Sequence, residues 1–260
     1  MPVERVMVST RPNFDTATWY ASYWVGITLR FLEEMGMRIT DLSGDLANKE
    51  ELVKAIEEND PIAYWGVGHG SETQFAGQDA YVMLEKGVDE RLFVGRIVHL
   101  TACLTGAEDG LLESIANAGA VATIGYKVEL IVGVMTDNFA ERPDNAATES
   151  LMKPDCAIEM SLAEGKTVVE ALDVADSVAE DEIEYWRASG HPDADLVIWA
   201  LINNRDGLVL YGIPQVSVLE EYPPLHPFNV IVGVASLIAL GLQLIRWEKM
   251  EPEKVVIKYE

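Results

Sequence analysis

The chain has 260 residues, 49% of them hydrophobic, and a formal net charge of -24. That suits one large domain, or one domain with an appendage, with ample apolar side chain for a core. It argues against a nucleic-acid partner, which would need basic stripes to meet phosphate, and the two cysteines, Cys103 and Cys156, supply neither a disulfide framework nor a zinc-ligand spacing. No metal or other cofactor is expected. The negative charge reads most simply as solubility, although such a field also favours cationic substrates or partners.

Residues 3–9 read as a first strand that ends at Thr10-Arg11-Pro12-Asn13. Asp15 or Thr16 is placed to cap a helix running through Trp19, Trp24 and Leu29 and stopping before Gly36. Residues 37–42 form a second strand, and Asn48 precedes a helix over 49–58 with Leu52, Val53 and Ile56 on one face. Pro61 then restarts the chain into an apolar run, 62–68, that delivers His69-Gly70-Ser71. This βαβαβ order is the pattern of a parallel sheet covered by helices on both faces.

Turn residues Gly77, Asp79 and Gly87 mark 71–90 as a loop or small hairpin. A fourth strand over 93–102 delivers Cys103-Leu104-Thr105-Gly106, followed by a helix over 108–118 and a short strand over 120–125. Within 127–154 the apolar segment 128–134 gives way to an exposed loop at 136–148. Helices are expected over 149–163 and 167–188, and late strands over 196–202 and 208–211. The α/β domain so defined spans 1–218, and a Pro-rich linker follows at 219–227.

The segment 228–247 contains an uncharged run from 230 to 245, with Phe228 before it and Arg246-Trp247 after it. Only Ser236 and Gln243 interrupt its apolar character, so it reads as an apolar helix of roughly the ~20 residues needed to span a bilayer. A buried helix, or one packed on a partner protein, is the other reading. A charged tail, 248–260, closes the sequence. The first ten residues show no secretory signal, so the expected location is membrane-associated through 228–247 and otherwise cytoplasmic. The oligomeric state is left open.

The chemistry collects in two places. In open α/β sheets, reactive groups gather at the carboxyl ends of strands. If the two apolar runs are parallel neighbours, His69 and Cys103 leave the sheet at one edge, as a thiol nucleophile and its base require. Gly70 leaves the backbone free to approach a carbonyl, so its N–H is a candidate oxyanion donor. His99 reads as a core or edge histidine and Cys156 as a packed thiol. Trp19, Trp24 and Trp65 read as core residues, as do Trp186 and Trp199.

Gly68-His69-Gly70-Ser71 and Thr101-Ala102-Cys103-Leu104-Thr105-Gly106, each after an apolar strand, resemble the paired signatures of the caspase-fold cysteine peptidases. The gingipain-like branch is the most similar, with Thr73 and Phe75 after the His-Gly-Ser, the strand at 119–125, the helix start at 164–172 and the closing strand at 208–214. Ile213 stands there in place of an expected Asp.

The resemblance implies a caspase-like α/β fold and an endopeptidase working through a thioester acyl-enzyme on a polypeptide substrate. Cys103 would be nucleophile, His69 general base and acid, and the N–H groups of Gly70 and Cys103 the oxyanion hole. Arg11, Asp15 and Thr101 would border the substrate pocket, with Asp15 as a selector for a basic side chain. The alternative is a catalytically inactive scaffold or assembly protein of the same fold. A flavodoxin-like phosphate binder ranks last, because Thr10-Arg11-Pro12-Asn13 lacks the glycines of a phosphate cradle.

Overall fold

A computed structural model describes residues 5–218. The segment 228–247 therefore lies outside the described residues, and no helix among those described is long and apolar enough to cross a membrane.

The chain opens with β1 (Val6–Arg11), α1 (Thr16–Glu34), β2 (Arg38–Ser43), α2 (Lys49–Asn59) and β3 (Ala63–Val67). Three short strands follow, β4 (His69–Gly70), β5 (Gln74–Ala76) and β6 (Val82–Glu85). Then come β7 (Ile97–Thr101), α3 (Leu111–Asn117), β8 (Ala122–Tyr126), α4 (Ala146–Ala163), α5 (Val168–Ser189), α6 (Ala194–Gly207) and β9 (Leu208–Gly212). Six strands form the main sheet in the order β2-β1-β3-β7-β8-β9. All its pairings are parallel except the last, where β9 runs antiparallel to β8.

Alternation along each strand divides the core into two layers, because successive side chains leave opposite faces of a sheet. Met7, Trp65, Ile97 and Ile124 face α1, α4 and α5, meeting Val25, Leu29, Ile158 and Leu172. Val8, Tyr64, Val98 and Leu100 face the other way, onto Leu52 and Ile56 of α2 and Leu111 and Ile115 of α3. The α/β architecture with helices on both faces is thus the one expected. A third apolar cluster joins α5 and α6 through Ile183, Trp186, Val197 and Leu201.

Three local expectations are corrected and one is borne out. Residues 196–202 are helical, within α6, because Val197, Ala200, Leu201 and Asn204 bury at helical spacing. The run is apolar nearly throughout, which hides its period. Within 71–90, β5 and β6 form the expected small antiparallel hairpin, and β4, just before it, pairs with β5 to complete a three-stranded sheet. Helix α4 begins at Ala146, with Asn145 as its cap, and carries both Pro154 and the buried Cys156 inside it. Of the tryptophans assigned to the core, Trp65 and Trp186 are buried, whereas Trp19 and Trp199 are exposed.

Candidate active site

The site is built by strand register. β3 and β7 pair in parallel with Val67 opposite Thr101. His69 and Cys103 each lie two residues beyond that pair, so both leave the same edge of the sheet. The Gly68 N–H donates to the Thr101 carbonyl at 3.4 Å, extending the pairing one step toward the site. A Cβ on Gly70 would stand 2.3 Å from the Cys103 carbonyl oxygen, so the two backbones touch there and only glycine fits.

Leu104, directly after the cysteine, has a φ of +59°. The left-handed conformation costs an L-residue roughly 1–2 kcal/mol. The turn is held by the Leu104 N–H on the Val128 carbonyl at 2.9 Å and the Gly106 N–H on the Tyr126 carbonyl at 2.9 Å. The chain therefore bends sharply just past the sulfur instead of entering a helix at once; α3 starts only at Leu111.

His69 does not stand alone. Its Nε2 lies 2.6 Å from Asp15 Oδ2, and Phe14 meets its ring edge-on with centroids 5.7 Å apart. Asp15 is also the N-cap of α1, where its Oδ1 accepts the Thr18 N–H at 2.8 Å. Burial raises the Asp15 pKa, but the Thr18 and His69 hydrogen bonds outweigh it and hold the carboxyl below its ordinary range. Of the two expected caps, Asp15 and Thr16, the structure uses Asp15, which the sequence resemblance also places at the substrate pocket. The fold turns its other oxygen toward the histidine.

Cys103 is half-buried. Its Sγ accepts the Leu130 N–H at 3.3 Å and lies 3.8 Å from the Leu130 carbonyl. Burial pushes its thiol pKa up, the Leu130 hydrogen bond works against that, and the Glu129 charge adds to the rise. Among the described residues no hydrogen bond joins Sγ to the His69 ring; the sulfur is engaged by Leu130 and the imidazole by Asp15.

The two other pocket candidates are committed elsewhere. The Arg11 guanidinium forms a two-pronged ion pair with Asp41 on the neighbouring strand, at 2.8 and 2.6 Å. Thr101 is buried, and its hydroxyl accepts the Trp65 indole N–H at 2.9 Å, so it faces the core rather than a cleft. No group of His, Cys, Asp and Glu among the described residues has the makings of a metal site.

No protein-family model matches the sequence, and neither does any curated protein. Solved structures do match. The Arg-specific cysteine proteinase gingipain R (RgpB) superimposes with a TM-score of 0.54 at 12% identity, over 82% of this chain and 47% of that one. A complex of the Porphyromonas gingivalis RgpB pro- and mature domains gives 0.51 at 10% identity, over 82% and 48%. The chain has the caspase–gingipain fold. It spans about half the length of the gingipain structures it matches. At such identity the likeness establishes the fold alone. In this chain, Cys103 and His69 follow the ends of two adjacent parallel strands.

Proposed function

We propose that this chain is a cysteine endopeptidase in which Cys103 is the nucleophile and His69 the general base and acid. The observation that carries the reading is the β3–β7 register, which brings His69 and Cys103 out at one sheet edge beside Gly70. In the first half-reaction the Cys103 proton passes to His69 and the sulfur attacks the scissile carbonyl carbon. The carbonyl oxygen takes up negative charge facing the Gly70 and Cys103 N–H groups, the oxyanion donors of this reading. Collapse breaks the C–N bond, His69 returns the proton to the departing amine, and a thioester remains on Cys103. In the second half-reaction His69 takes a proton from water, the hydroxide attacks the thioester, and the thiolate leaves as the acid product forms.

Asp15 has a place in this scheme. Bonded to Nε2, it fixes the ring's orientation and supports the imidazolium that forms during attack. Asp15 is therefore reassigned here from substrate selector to positioning residue for His69.

A second reading, a non-catalytic scaffold of the same fold, is favoured by one observation: Cys103 Sγ is engaged by the Leu130 N–H and the imidazole by Asp15, with no hydrogen bond between the two among the described residues. A positional-scanning peptide library, run on wild type and on Cys103→Ala, separates the two. The endopeptidase reading expects cleavage by wild type that Cys103→Ala abolishes. Equal signal from both proteins, or none from either, would support the scaffold.

A further inference from the structure

The sulfur of Cys103 is held by a strap that belongs to neither of the two strands bearing the dyad. Residues 127–131 leave the end of β8 and pass the nucleophile before the chain crosses to α4. On the inner side the Val128 carbonyl accepts the Leu104 N–H at 2.9 Å, and the Leu130 N–H meets Sγ at 3.3 Å. On the outer side the strap lies against the last turn of α6. Asn203 Nδ2 donates to the Glu129 carbonyl at 2.9 Å. Asn204 pairs with Ile131 in both directions: its Oδ1 accepts the Ile131 N–H at 3.0 Å and its Nδ2 donates to the Ile131 carbonyl at 2.7 Å. The Lys127 N–H donates to the Gly207 carbonyl at 2.9 Å.

The Glu129 carbonyl and the Leu130 N–H belong to one planar peptide unit. Asn203 grips its oxygen end while its N–H end meets the sulfur, and the buried Asn204 locks the residue that follows. We propose that Asn203 and Asn204 are positioning residues for the nucleophile, a clamp that aims the Leu130 N–H at Cys103 Sγ and so stabilises the thiolate. The proposal rests on the peptidase reading only in treating Cys103 as the reactive sulfur.

The clamp matters because the site otherwise disfavours the anion. Burial and the exposed Glu129 carboxylate both oppose it, and the Leu130 N–H works against them, with a smaller contribution from the Cys103 N–H. Among the described residues, the charge that acts on the sulfur is Glu129 on the strap, and His69 follows the end of the adjacent strand. On ionisation the S–H can no longer donate to the Leu130 carbonyl, 3.8 Å away, whereas the N–H contact strengthens toward an anion.

The test is the pH dependence of Cys103 alkylation by iodoacetamide, resolved by peptide mass spectrometry, in wild type, Asn203→Ala and Asn204→Ala. One unit of pKa is a tenfold change in thiolate. Asn204→Ala is expected to react about tenfold more slowly near neutral pH and Asn203→Ala about threefold, both converging on the wild-type rate at alkaline pH. That convergence is what a loss confined to packing does not produce. If Asn204→Ala fails to fold, Asn203→Ala carries the test, since it removes the partly exposed tether on the Glu129 carbonyl and a 3.3 Å contact to Asn204 Oδ1 while leaving the Asn204–Ile131 pair in place. A folded Asn203→Ala with the wild-type profile overturns the proposal. Alkylation needs no substrate, so shifted profiles in a protein that cleaves no peptide would keep the clamp and remove the peptidase. Cleavage with unshifted profiles would do the reverse.

Discussion

Asp15 serves two neighbours with its two carboxylate oxygens. Oδ1 closes the first turn of α1 on Thr18, and Oδ2 meets His69 Nε2 at 2.6 Å. Asn is as good an N-cap as Asp, so Asp15→Asn keeps the helix start but puts an amide N–H donor where a carboxylate accepted, removing the charge behind the imidazole and reversing the hydrogen bond to Nε2. General acid–base catalysis by a well-placed residue is worth roughly 10²–10⁴-fold, and a misdirected ring forfeits much of it. The expected outcome for Asp15→Asn is a fall in kcat of about 10²-fold with KM little changed and with the thermal midpoint close to wild type. Peptide hydrolysis followed over a range of substrate concentrations checks it; a raised KM at unchanged kcat would return Asp15 to the substrate pocket. The histidine and cysteine were both legible in the sequence, because each follows an apolar strand and precedes a small turn. Asp15's partner was not, since the contact joins residues 54 apart in the chain.

Helix α4 is pinned to the sheet by charges that lie nowhere near solvent. His99 in β7 is stacked on Trp65, with ring planes 5° apart, and is flanked by Glu159 Oε1 at 2.9 Å and Asp155 Oδ1 at 3.1 Å. The Tyr126 hydroxyl donates to the same Asp155 oxygen at 2.7 Å. Burial pulls the His99 pKa down, yet the two carboxylates overcome it and raise it to about 9. The folded value exceeds the ordinary 6.5, so the cluster stabilises fully below about 6.5 and loses that contribution as pH rises through about 9. Urea unfolding from pH 6 to pH 10 should show stability falling by on the order of 3 kcal/mol, and the slope should be much reduced in His99→Phe. An alkaline fall that is the same in His99→Phe would remove the histidine as its source. That His99 is a core residue could be read from its place inside a strand. Its carboxylate partners could not, because they come from an element 56 and 60 positions later. For α6 the failure was one of period: Leu196 to Ile202 is uniformly apolar, and only contact with α5 decides that it winds as a helix.

Across the whole molecule, the two cysteines report different things. Cys103 sits at the rim of the sheet, half-buried. Cys156 lies inside α4 against the sheet face, and its pKa is pushed up to about 12, chiefly by burial. In native buffer iodoacetamide should label Cys103 alone, and Cys156 should become reactive only with global unfolding. A denaturant series read by mass spectrometry checks this; Cys156 labelling well before the unfolding transition would mean that α4 leaves the sheet locally. The sequence by itself determined the layered α/β class, through alternating apolar strands and amphipathic helices, and it determined which strand ends carry reactive groups. Those are local properties, written in the period and punctuation of neighbouring residues. Only the tertiary structure decided that β3 and β7 are adjacent in register, that Asp15 stands behind His69, and that Asn203 and Asn204 reach the strap over Cys103. Such contacts bring together residues far apart in the chain, and their geometry is fixed by packing the whole core, which no single stretch of sequence encodes.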